Sequence, residues 1–167
     1  MGKRYKLLDV TVKEIETLED GTLFLTFKDE QGPYNIRVPQ NTVIVDNDGE
    51  AIELQQGQAI QAVVLSNKPM MAIFPPQYAP DLIVVQTTKK GFLKLGIFNE
   101  SFVNEENDLK LNIHEETVIV DVQGNQMNAP QIIGKLVAVF YWRTTFSIPA
   151  QTPPEKIIVL ENNESLA

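Results

Sequence analysis

Thr42-Val43-Ile44-Val45-Asp46 recurs as Thr117-Val118-Ile119-Val120-Asp121. The match extends upstream: Asn35-Ile36-Arg37-Val38 stands over Lys110-Leu111-Asn112-Ile113, and one constant offset holds from Asn35 to the shared Asp. Ile36 and Val38 alternate with polar neighbours, as do Leu111 and Ile113, which is the period of two of a half-buried strand. Residues 43–45 and 118–120 are unbroken β-branched runs, expected to form strands buried on both faces. The chain therefore reads as one β module used twice.

Downstream, Asp46-Asn47-Asp48-Gly49 aligns with Asp121-Val122-Gln123-Gly124, and Asp first with Gly fourth is the preference of a type I turn. Asp46, Asp48, Glu50 and Glu53 also resemble a calcium loop in composition. Their spacing does not, because the glycine of an EF-hand belongs at the sixth loop position and a Glu at the twelfth. No metal site is expected there. Residues 50–57 and 125–134 each end in Gly and fit one helical turn or a tight loop. Ile60, Ala62, Val63, Val64 and Leu65 then align with Val137, Val139, Phe140, Tyr141 and Trp142, a long apolar strand in each half. Phe74-Pro75-Pro76-Gln77-Tyr78 and Ile148-Pro149-Ala150-Gln151 follow as rigid extended crossings, since proline fixes φ and cannot donate to a ladder. Each crossing feeds a last strand, Leu82-Ile83-Val84-Val85 or Ile157-Ile158-Val159-Leu160.

The halves differ at their starts. In the first, residues 8–15 and 23–27 read as strands around Glu19-Asp20-Gly21, a strong hairpin signal. In the second, a strand over 92–98 is followed by the polar stretch 100–108, too short for the same hairpin, so an incomplete edge is expected. Gln86-Thr87-Thr88-Lys89-Lys90-Gly91 reads as a linker and residues 161–167 as a frayed tail. Domains are thus expected at 1–88 and 89–167. Units of about 80 residues lie near the lower size for independent folding and are expected to share stability.

Five or so strands with a turn or short helix between the third and fourth is the layout of an OB-like barrel. The fold expected is all-β, two tandem OB-like small β-barrels from an internal duplication. The Thr-x-Ile/Val-x-Asp strand, the Gly-led apolar strand and Thr145-Phe146-Ser147-Ile148-Pro149-Ala150-Gln151 resemble bacterial tandem-repeat β-domains that carry Thr-x-Ser-φ-Pro-Pro-Gln. Ala150 replaces one proline of that pattern; the first half keeps Pro75-Pro76-Gln77 but has Met71-Ala72-Ile73 where Thr and Ser would stand. The resemblance spans most of both halves and implies OB-like barrels and export or envelope association. It implies no activity and no catalytic residue.

The net charge is −8, with 7 basic against 12 acidic residues before Lys89 and 7 against 10 from there on. Acidity in both halves argues against nucleic acid, whose affinity rests on clustered Lys and Arg, and against an anionic membrane surface. The absence of Cys excludes disulfides, thiolate zinc and cysteine nucleophiles. The basic start, Lys3-Arg4-Tyr5-Lys6, meets Asp9 before a signal core forms, and no run approaches the roughly 18 apolar residues of a transmembrane segment. As written the chain is expected to be soluble and cytoplasmic, or envelope-associated or exported if a leader has been removed.

Catalytic chemistry has little support. His114 is the single histidine, so a multi-histidine metal site is impossible within one chain. It stands at a strand end opposite Pro39, and Ser101 or Ser147 are the serines that a triad would need. Glu105-Glu106, Asp108 and Glu115-Glu116 read as solvated turns rather than an opposed acid/base pair. No phosphate loop, dinucleotide fingerprint or zinc helix occurs, and no cofactor is expected.

Aromatic side chains give the binding candidates. In Phe140-Tyr141-Trp142-Arg143, strand alternation sends Phe140 and Trp142 one way and Tyr141 and Arg143 the other. Trp142, aligned with Leu65, is expected to pack inside. Tyr141, Trp142, Arg143 and Phe146, with Phe74 and Tyr78 beside Met70-Met71 in the first half, are the binding residues expected. Such surfaces take sugars, bases or proline-rich peptides. The function expected is a non-catalytic binding or assembly module acting through protein contacts, with open strand edges favouring a homodimer. The alternative is a carbohydrate-binding module on Trp142 and Tyr141; a hydrolase using His114 or paired acids is third.

Overall fold

The computed structural model describes residues 4–29, 32–66 and 73–161. The chain is all-β, arranged as several small sheets. It divides into two compact units, one of Met1–Asp46 with Ala51–Thr87, the other of Asn47–Glu50 with Thr88–Ala167. Among the described residues no helix is long and apolar enough to cross a membrane.

The first unit contains β1 (Tyr5–Thr11), β2 (Ile15–Thr17), β3 (Leu23–Asp29), β4 (Gly32–Val38), β5 (Val43–Asp46), β6 (Ala59–Leu65), β7 (Gln77–Tyr78) and β8 (Leu82–Val85). One sheet runs β1-β6-β8-β5, antiparallel except for the parallel β5 and β8. The other runs β2-β3-β4-β7, a meander with β7 added parallel to β4. β8 is flanked by strands on both sides and has no exposed surface, the setting in which an unbroken apolar run is stable. Leu25, Ile36, Ile60 and Ile83 join the two sheets in one core, each contributing roughly 1.5–3 kcal/mol by burial.

The Glu19-Asp20-Gly21 turn forms as expected, but the strand expected over 8–15 is split: β1 ends at Thr11 and pairs with β6, and only β2 pairs with β3 in the hairpin. Leu18 donates its N–H to Thr22 O (2.8 Å), Gly21 donates to Leu18 O (2.9 Å), and Gly21 holds φ 86°. The Asp20 carboxylate accepts the Thr22 N–H at 2.9 Å, and the hydrogen bonds from Thr22 hold its pKa below the usual value.

The second unit contains β9 (Phe92–Ile97), β10 (Leu109–Leu111), β11 (Val118–Asp121), a 3-10 turn (Ala129–Ile132), β12 (Leu136–Tyr141), β13 (Ala150–Thr152) and β14 (Lys156–Val159). Its main sheet runs β11-β14-β12-β9, with the same senses as the β5-β8-β6-β1 sheet of the first unit. Registers correspond as well: Ile44 pairs with Ile83 and Ile119 with Ile157, Ile60 with Val85 and Val137 with Val159. β10 and β13 pair in parallel, as β4 and β7 do, with Lys110 opposite Gln151 and Asn35 opposite Gln77.

Several expectations need correction. The 43–45 and 118–120 runs are not buried on both faces: β5 and β11 are the outer strands of their sheets, Val43 and Ile44 are half-buried, and Val118 is exposed. Of the two forms expected between the third and fourth strands, residues 50–57 take the loop and the second unit takes the helical turn, a 3-10 turn where Pro130 supplies a helical φ and lacks a donor. The expected tail begins with an anchored residue, since Glu161 Oε1 accepts the Leu136 N–H at 2.6 Å; residues 162–167, like Met70 and Met71, lie outside the described residues.

The short edge of the second unit is built differently from a hairpin of full strands. Isolated bridges link Phe98 to Asn104 and Val103 to Lys110. Asn104 is buried and holds the loop: its Oδ1 accepts the N–H groups of Asp108 and Leu109, both at 2.9 Å, and its Nδ2 donates to Asp108 Oδ1 (2.6 Å) and Glu106 Oε2 (3.1 Å). All its amide atoms are used.

Candidate functional site: apolar loop tips and an aromatic strand end

β12 stops at Tyr141, so the alternation that would carry Trp142 into the core stops with it. Trp142 is 46% exposed, which corrects the expectation of a buried ring. Its Nε1 donates to Glu155 Oε1 at 3.0 Å, and the Arg143 guanidinium lies 5.3 Å from the ring centroid. That distance is in the range of a cation–π contact. Tyr141 is half-buried with its ring 5.9 Å from Phe92, and burial pushes its hydroxyl pKa up. Asp48, Glu50 and Glu155 line a hollow of about 210 Å³ with Phe140, Tyr141 and Trp142.

Beyond Arg143 the chain makes a tight loop whose polar groups bond within it. Thr145 Oγ1 lies 2.6 Å from Ser147 Oγ and accepts the Gln151 N–H at 3.0 Å; Ser147 Oγ donates to Pro149 O at 2.9 Å. Thr152 Oγ1 closes the loop by donating to Arg143 O at 2.5 Å. The apolar side chains are left outside. Phe146 is fully exposed and Ile148 is 93% exposed.

The first unit presents the same feature. Phe74, 81% exposed, directly precedes Pro75 as Ile148 precedes Pro149, and both of these peptide bonds are cis. Tyr78 does not share this tip. It is partly buried, edge-on to Tyr34 at 5.7 Å, and its hydroxyl accepts from Lys6 Nζ at 3.0 Å. The six candidate residues therefore separate: Phe74 and Phe146 on tips, Tyr141, Trp142 and Arg143 at a strand end, and Tyr78 in an aromatic cluster. Ile148 was missed by sequence reasoning. Its alignment with Phe74, one residue before a proline, was the available signal.

His114 Nδ1 accepts the Glu116 N–H at 3.2 Å, and the His114 N–H is given to Thr117 Oγ1 at 3.2 Å. Ser147 is spent on the tip loop. The Asp121 carboxylate is likewise occupied, accepting the N–H groups of Gln123 and Asn125 at 2.9 Å. Burial pushes its pKa up, but the hydrogen bonds from Asn125, Gln123 and Gly124 outweigh that and keep it below the usual value. Among the described residues no three His, Asp or Glu side chains converge as metal ligands.

The chain matches no family model, no curated protein and no solved structure.

Proposed function

We propose that this chain is a non-catalytic binding or assembly module, two OB-like barrels derived from an internal duplication, that acts through protein contacts at its apolar loop tips. The observation that carries the reading is the exposure of Phe74, Phe146 and Ile148 on loops that occupy corresponding places in the two units. Large apolar side chains held in water add nothing to their own core, and rigid ones lose little entropy when a partner covers them. Charge supports the same surface. In a chain of net charge −8, residues 73–80 hold no charged side chain and residues 143–154 one cation and no carboxylate.

The barrel reading is supported by the pairing pattern. Treating β1 with β2, β4 with β5 and β7 with β8 as single bent strands gives the order 1-2-3-5-4-1, with only strands 3 and 5 parallel. That is the circuit of a five-stranded Greek-key barrel.

The tips are tested by placing a photo-crosslinking residue at 146, 148 or 74, with Glu16 on a separate strand as control, in cells that produce the chain. Discrete protein adducts from the three tip positions and none from position 16 are expected. Adducts absent from all three, or equally strong at position 16, would remove the reading.

A second reading is favoured by the exposed Trp142 beside the acidic hollow: a sugar ring stacked on the indole with its hydroxyls donating to Glu155, Asp48 or Glu50. A glycan array decides it. Binding lost in Trp142→Ala and retained in Phe146→Ser supports it, and an array without signal removes it.

A further inference from the structure

The first unit carries an open strand edge that forms one wall of a groove. β1 pairs with β6 alone among the described strands, in the register Lys6 to Val64, Leu8 to Ala62 and Val10 to Ile60. At the two ends of this ladder Ser66 donates its N–H to Arg4 O and Val12 donates to Gln58 O, both at 2.8 Å. In an antiparallel ladder, backbone groups change side at each residue. Even-numbered residues of β1 therefore face β6, and Leu7 and Asp9 turn their N–H and C=O groups away from it. Among the described residues these four groups have no hydrogen-bond partner.

The groove beside that edge holds about 590 Å³ and is lined by Lys6, Leu8, Tyr34 and Tyr78 together with Leu7 and Asp9. Tyr34 stacks on Phe27 with centroids 5.6 Å apart and is almost fully buried, and Tyr78 packs edge-on against it, so the aromatic part of the lining is held in place by the core. Lys6 Nζ stands over the Tyr78 ring, 4.8 Å from its centroid. It brings a positive charge to the groove on the face of β1 that holds Leu8, and Asp9 brings a negative one on the other face.

From this geometry we infer that the groove binds an extended peptide segment of a partner protein, which adds to β1 as a further strand. The complement to alternating N–H and C=O groups at two-residue spacing is another β-strand. The aromatic lining selects apolar side chains at alternate peptide positions on the face of Lys6 and Leu8, where a carboxylate is favoured beside Lys6, and a cation is favoured on the other face beside Asp9. The groove lies within the first unit, and Phe74, Phe146 and Ile148 are not among the residues that line it. Its occupancy does not depend on the tip reading.

The test uses the full chain and phage-displayed random nonapeptides, with enriched sequences synthesised for titration. Expected are peptides with alternating apolar residues whose binding slows amide exchange at Leu7 and Asp9 by roughly tenfold or more. N-methylation of the peptide amides that face β1 should abolish binding, while methylation at the alternate positions should leave it nearly unchanged. Leu7→Pro should lose binding too, because it removes an outward N–H and leaves the ladder to β6 intact. A Phe74→Ser, Phe146→Ser, Ile148→Ser variant should bind these peptides as the parent does, which separates this groove from the tips. The inference is overturned if no peptide is enriched over the Leu7→Pro chain, or if binding ignores the N-methyl register. It is equally overturned if the chain alone protects Leu7 and Asp9 in a concentration-dependent dimer, since a second copy's β1 is then the occupant.

Discussion

The two units share a four-stranded sheet almost residue for residue and part company at the turn that follows its first strand. At that turn the first unit has Gly21 at φ 86° and passes from the short β2 into the full strands β3 and β4. The second closes the same hydrogen bonds, Asn99 N–H to Val103 O at 3.0 Å and Phe102 N–H to Asn99 O at 2.8 Å, with Phe102 at φ 61°. It then abandons strand pairing for a loop held by Asn104. The sheet is set by long-range apolar pairing, which tolerates no change of period. The edge is set by local polar chemistry, which offers more than one solution.

The largest expected effects come from the shared part. Ile83→Ala and Ile157→Ala occupy corresponding places with no exposed surface, and each should lose about 2–5 kcal/mol of stability in urea unfolding. A loss below 1 kcal/mol at either site, well outside that range, would break the correspondence. Next is Asn104→Ala, which leaves the Leu109 and Asp108 N–H groups without their acceptor and should cost roughly 1–3 kcal/mol. It should act on the second unit alone, read as faster amide exchange at Leu109 with β8 amides unchanged.

Smaller is the glycine pair of the Asp-x-x-Gly turns, Gly49 at φ 86° and Gly124 at φ 88°. Gly124→Ala meets no atom and should cost only the left-handed backbone, about 1–2 kcal/mol. Gly49→Ala should cost more, because its Cβ would stand 3.1 Å from Lys156 Cδ and Phe140 Cγ, and Lys156 Nζ also donates to Gly49 O at 2.8 Å. Equal losses would mean that the contact seen at Gly49 contributes nothing.

Smallest is a pH effect confined to the loop. Hydrogen bonds from Asn104 hold Asp108 below its ordinary pKa, against burial and with help from Lys94, whose Nζ lies 3.4 Å away. A carboxyl depressed in the folded state stabilises fully above its unfolded value of 3.8 and loses that contribution as pH falls through the lower folded value. Leu109 amide protection should therefore be level from neutral pH down to the unfolded value and weaken below it. Asp108→Asn should remove that acid-dependent step.

Much of the fold was legible in the sequence because its signals are local or periodic. The Asp20-Gly21 turn, the run 82–85 and the shared offset around Asp46 and Asp121 each carry their own physical reason. Edge position was not legible. Val118 looks as apolar as Val84, yet one lies on an outer strand and the other at the centre of a sheet, and only the pairing order distinguishes them. Trp142 was misplaced for a related reason: alternation forecasts a facing direction only while the strand continues, and β12 ends one residue earlier. The tips were half legible. Phe74 and Phe146 were visible as aromatics near prolines, but the exposure of Ile148 depends on loop bonds from Thr145 and Ser147 that no sequence pattern displays.

The central claim is that the corresponding tips are contact surfaces rather than parts of either core. It is tested most directly by comparing the Phe74→Ser, Phe146→Ser, Ile148→Ser variant with the parent in affinity for whichever protein is captured by crosslinking at position 146. The account predicts an unchanged urea midpoint and an affinity at least roughly tenfold weaker, in line with the loss of buried apolar anchors. Unchanged affinity, or a midpoint lowered as far as in Ile157→Ala, would contradict it.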